Sequence, residues 1–174
     1  MRASLRLLRA SAFTLVELLI VLVLLGMLST SAVVAFQGRD RPYALRVSGE
    51  DLGAAFRSAG NASRAGGKPH RVVLDIAGRL FWVETYAPAA DGGFAQVSGL
   101  AGRLHAFADG VTVISTGELQ PDPDGRVVFP FGPGAFPAMA CGLATVDGDR
   151  LWVRVAAGTG QVVLDDAPQA EGPL

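Results

Sequence analysis

Glu17 is the residue best placed to do chemistry in this chain. It is the only charged residue between Phe13 and Phe36, and it sits against the run Leu18-Leu19-Ile20-Val21-Leu22-Val23-Leu24-Leu25. A carboxylate in such surroundings is costly to desolvate, so by default it is a functional residue with a partner. The chemistry open to it is ion pairing where water is scarce. The competing reading is that the carboxylate merely snorkels to a membrane–water interface.

The other candidates are weaker. His70 and His105 lie far apart in sequence and have no nearby ligand partners. Asp122, Asp124, Asp147 and Asp149 suggest calcium, but both pairs sit in Gly-containing turns, where Asp is expected on backbone grounds alone. Cys141 is the single cysteine, which excludes an intrachain disulfide. Within Ala138-Met139-Ala140-Cys141-Gly142-Leu143 it reads as a buried small hydrophobe. No G-x-S-x-G elbow, H-E-x-x-H pair or phosphate loop is present. The residues therefore predict no catalytic constellation, no metal and no cofactor.

The element that must position Glu17 is a helix. Residues 13–36 would rise about 36 Å as an α-helix, against a hydrocarbon core of roughly 30 Å. The segment is apolar all round, which suits lipid or other helices. Arg2, Arg6 and Arg9 precede it with no acids, which places the amino end in the cytoplasm and the remainder outside. Arg39, Arg41 and Arg46 follow it and weaken that asymmetry. A plain secretory signal peptide competes, because Leu18 to Leu28 has signal-core length and Ser31-Ala32 offers small residues for a cut. Two features oppose it: Glu17 lies between basic leader and apolar core, and the apolar run continues through Val33, Val34 and Phe36.

Beyond the span, Pro42 predicts a kink or break. Residues 37–66 then resume as an amphipathic continuation of the helix, with Leu45, Leu52, Ala55, Phe56 and Ala59 on one face. From residue 67 to 164 the period changes to that of antiparallel strands. The strands are read at residues 72–76, 80–86, 110–115, 126–129, 151–155 and 161–164, with turns at Ala77-Gly78-Arg79, Asp124-Gly125 and Gly158-Thr159-Gly160. The loop from Pro130 to Pro137 reads either as a subunit contact or as a lid on the core. Residues 165–174 read as a flexible tail. The fold class is α+β: a long amino-terminal helix packed on an antiparallel sheet domain. Net charge is −1, and loss of three leader arginines would make it −4. One lysine, Lys68, and an acidic tail leave no broad basic surface, so no nucleic acid is expected.

Ala12-Phe13-Thr14-Leu15-Val16-Glu17 resembles the type III signal of type IV pilins and type II secretion pseudopilins. That family usually carries Gly where this chain has Ala12. The resemblance implies removal of the leader, residues 1–12, by a prepilin peptidase between Ala12 and Phe13. It also implies methylation of the new amino group of Phe13. Glu17 would then pair with the Phe13 amino group of an axially staggered neighbour, setting register during assembly; each charge is costly alone and tolerable beside the other. The later pattern is similar to the GspH/FimT branch of minor pseudopilins, on Phe56-Arg57-Ser58-Ala59, the hairpin after His70, the Asp124-Gly125 turn with Phe129, and Gly158-Thr159-Gly160-Gln161-Val162.

That branch implies a structural subunit of the periplasmic pseudopilus of a type II secretion system, not an enzyme. It would be a single-pass protein of the bacterial inner membrane with its carboxyl-terminal domain in the periplasm. Its expected partners are the major pseudopilin, other minor pseudopilins, the prepilin peptidase and the inner membrane. The alternatives are a minor pilin of a type IV pilus, serving assembly or DNA uptake, and a secreted protein bearing a signal peptide.

Overall fold

The computed structural model describes residues 15–37, 40–99, 102–134 and 136–166. The chain divides into two units, Met1–Asp40 and Arg41–Leu174. In the first, α1 runs Leu15–Gln37. Its apolar side chains from Leu15 to Met27 are exposed on every side, so this helix has no core of its own. Side chains of α1 are described only over residues 15–27, and among the described residues no helix is long and apolar enough to cross a membrane. The helical backbone itself continues to Gln37.

The second unit begins with α2, Asp40–Gly66. Pro42 lies in the first turn of α2, and residues 38 and 39, within the stretch where the interruption is expected, lie outside the described residues. A first-turn N–H has no acceptor within its own helix, so the proline removes nothing the helix uses. Leu45, Leu52, Ala55, Phe56 and Ala59 are all buried, along one stripe of α2. Ser48 and Ser63, polar but buried, are satisfied: Ser48 Oγ accepts from the Ala108 N–H at 3.0 Å, and Ser63 Oγ donates to the Phe131 carbonyl at 2.9 Å.

Two antiparallel sheets share the core with α2. The strands are β1 His70–Asp75, β2 Leu80–Tyr86, β3 Phe94–Gln96, β4 His105–Ala106, β5 Val111–Ser115, β6 Arg126–Phe131, β7 Met139–Thr145, β8 Arg150–Val155 and β9 Val162–Asp165. The first sheet has the order β3-β2-β1-β6, with β4 also on β2; the second has the order β5-β7-β8-β9. Leu74 of β1 is paired with Phe81 and with Val127, so alternate residues of three strands face one core. Phe56 meets the rings of Phe129 and Phe131 at 5.0 and 5.8 Å, which seats α2 on the first sheet. Gly49 and Gly53 seat it on the second. A Cβ on Gly49 would overlap Cδ2 of Leu151, and one on Gly53 would stand 3.4 Å from both Leu164 and Val162. Asp165, expected in the tail, belongs instead to β9, and its Oδ2 lies 3.3 Å from Arg154 Nε. Residues 167–174 fall outside the described residues.

Candidate functional site

Glu17 stands in the first turn of α1, where the helix dipole favours an acid. Its neighbours in sequence, Leu15, Val16, Leu18 and Leu19, are each more than half exposed. Among the described side chains of α1, residues 15–27, the carboxylate is the only charged group. Ala12 and Phe13, the residues expected to flank the cut and carry the methyl group, lie outside the described residues.

The remaining candidates are held in structural roles. Asp122 Oδ1 accepts from the backbone N–H groups of Asp124 and Arg126, at 2.9 and 2.8 Å. Asp147 receives both its carboxylate contacts from Arg41 Nη1, at 2.6 and 2.5 Å. That pair raises the Arg41 guanidinium above its ordinary range, chiefly through the hydrogen bond and then through the charge of Asp147. Among the described residues no group of three His, Cys, Asp or Glu is arranged to hold a metal ion. His105 stacks on Phe81 at 5.2 Å, and His70 Nδ1 lies 2.9 Å from the Lys68 carbonyl. Cys141 is fully buried in β7, and burial pushes its thiol up to about 12.

The loop after β6 folds over the core. Phe136 is buried, with its ring 5.6 Å from that of Phe131. Arg64 lies over the same ring at 4.4 Å and donates to the Thr159 carbonyl. The Phe136 carbonyl accepts from Gly158 N–H at 2.8 Å. One cluster therefore ties the end of α2, the β6–β7 loop and the β8–β9 turn together. The sequence reading missed both this cluster and the Arg41–Asp147 pair. Neither leaves a local signal, because the partners are 95 and 106 residues apart.

Residues 7–33 match the family described as the prokaryotic N-terminal methylation motif. The architecture of the chain is similar to the minor pseudopilin EpsH from the type 2 secretion system of Vibrio cholerae. The TM-score is 0.56 at 12% identity, over 72% of this chain and 98% of that one. The motif is confined to the amino-terminal segment, and at 12% identity the likeness to EpsH is one of fold. No curated protein sequence matches the chain. The matched motif spans Glu17 and the positions on both sides of the expected cut.

Proposed function

We propose that this pilin-like chain is a minor pseudopilin, a structural and non-enzymatic subunit of the periplasmic pseudopilus of a type II secretion system. The observation that carries the reading is the pairing of a methylation motif over residues 7–33 with a pseudopilin fold over 72% of the chain. The prepilin peptidase removes residues 1–12, and Phe13 becomes the methylated amino terminus. Residues 13–36 hold the subunit in the inner membrane, with the unit from Arg41 onward in the periplasm. On extraction into the filament, Glu17 of one subunit neutralises the amino group of a neighbour's Phe13. The neighbours are the major pseudopilin and other minor pseudopilins. Intact mass of the chain recovered from membranes tests this. The expected product begins at Phe13 and carries one methyl group; a product beginning near Val33 would refute the reading. Loss of secretion without loss of pili in a deletion strain is the expected result that distinguishes the pseudopilus from a type IV pilus.

A further inference from the structure

The sequence contains four Asp-Gly dipeptides: Asp91-Gly92, Asp109-Gly110, Asp124-Gly125 and Asp147-Gly148. Such pairs suit turns, because Asp bonds the local backbone and Gly takes the positive φ that follows. They also carry a latent reaction. Glycine has no side chain to hinder attack by its own amide nitrogen on the preceding carboxyl group. The fold treats the dipeptides differently. Gly125 N–H donates to the Asp122 carbonyl at 2.9 Å, and Gly148 N–H donates to the Thr145 carbonyl at 3.1 Å. Asp147 is held further by Arg41 Nη1, which reaches its two carboxylate oxygens at 2.6 and 2.5 Å. The Asp91 side chain lies outside the described ones. Gly110 N–H, by contrast, has no acceptor among the described residues. The Asp109 side chain is fully exposed, and its nearest cation, Arg79 Nη1, stands 3.8 Å away. A Cβ on Gly110 would meet nothing within 4 Å, so the space around its nitrogen is open.

We propose that Asp109-Gly110 is a self-modification site, at which Asp109 converts to isoaspartate with water as the only co-reactant. The Gly110 nitrogen bonds to the side-chain carboxyl carbon of Asp109 and loses its proton, and the carboxyl hydroxyl departs with a proton as water. The product is a cyclic succinimide. Water then adds to one of its two carbonyls and breaks the ring C–N bond there. Opening at the side-chain carbonyl restores Asp109. Opening at the backbone carbonyl leaves the chain running through the side chain, one methylene longer, with the former backbone carbonyl now a free carboxylate. One water is lost and one regained, so the mass is unchanged. The position of the site gives the change a structural consequence. Phe107 and Val111, on either side, are both buried in the core. Between them, Ala108 N–H donates to Ser48 Oγ at 3.0 Å, and the Ala108 carbonyl accepts from Arg79 Nη2 at 2.6 Å and from Val111 N–H at 3.1 Å. The added methylene falls inside the turn closed by the Ala108–Val111 bond, beside the bond that ties α2 to this loop.

The test incubates the full chain in detergent at neutral pH for weeks and maps isoaspartate peptide by peptide, by chromatography and fragmentation. Residue 109 is expected to convert roughly fivefold faster than residues 124 and 147, each of which must first break a backbone hydrogen bond. The same incubation in denaturant removes those bonds, and the three rates should converge. Asp109→Glu, which keeps the charge but cannot close the same ring, should yield no isomer at that position. Equal rates at the three positions in the folded chain would overturn the proposal. So would a ranking that persists in denaturant, because local sequence rather than the fold would then select the site. Hydrogen exchange of the Ala108 amide should be faster in the isoaspartyl fraction than in the unmodified one. Equal exchange in the two fractions would overturn the consequence for the tie to α2.

Discussion

Two side chains, Glu17 and Cys141, are each placed in apolar surroundings, and the consequences differ. Glu17 stands on a helix whose described side chains contribute nothing to the core, so Glu17→Ala is expected to leave the melting temperature of the unit from Arg41 onward unchanged. The same variant is expected to impair incorporation into filaments, read by shear fractionation or crosslinking; normal incorporation would remove the pairing role. Cys141 lies at the centre of the core, and its thiol is raised from 9.0 to about 12 by burial. The folded state therefore holds the proton more tightly than the unfolded chain. Stability is fully present below pH 9 and is lost as pH climbs toward 12. The gap in unfolding free energy between the wild type and Cys141→Ala should close across that window, by on the order of 4 kcal/mol at most. At neutral pH the native thiol should resist alkylation until the chain unfolds. The burial of Cys141 was legible from its small apolar neighbours. The engagement of Asp147 with Arg41 was not, because a turn aspartate has the same local pattern whether or not a distant arginine reaches it.

Elements whose two faces differ were readable, and those whose faces match were not. Strands β2 and β8 alternate buried and less buried positions, which is visible as a period of two, and the Gly-bearing turns beside them mark their hairpin partners β1 and β9. Strand β7 escaped because five consecutive residues, Cys141 to Thr145, are buried on both faces, so no alternation exists. Strands β3 and β4 have three and two residues, too few to show a period. The division into two sheets was equally silent, since the seat of α2 on the second sheet is made by glycines rather than by a hydrophobic stripe. Helix propensity favours Ala over Gly by ~1 kcal/mol in a helix interior, yet at Gly49 the added methyl would overlap a buried leucine. Overpacking costs ~1–3 kcal/mol, so the steric effect wins. Gly49→Ala is expected to lower stability in denaturant melts. Gly66→Ala, with nothing within 4 Å, should be neutral or slightly stabilising. Gly160→Ala should be the worst of the three, because it joins a φ of 68° to an overlap with the Phe136 ring. A reversed order of Gly49→Ala and Gly66→Ala would show that α2 does not depend on close approach to β8.

At the scale of the whole molecule, the two units are stabilised by different means. The core gathers residues from Leu45 of α2 through Val155 of β8, and among the described residues none comes from α1. A unit with its own core should fold by itself. The fragment from Asp40 to Leu174 is therefore expected to give dispersed amide resonances and one cooperative thermal transition, at the temperature found for the full chain in detergent. The described apolar side chains of α1, Leu15 to Met27, are exposed within the chain, and on the proposed function lipid or neighbouring helices would cover them. On the proposed function, that division would let α1 exchange lipid for helices without contributions from the core between Leu45 and Val155, to which no described residue of α1 belongs. A fragment with collapsed, poorly dispersed spectra would mean that α1 completes the fold, and transfer between membrane and filament would then require part of the core to be rebuilt.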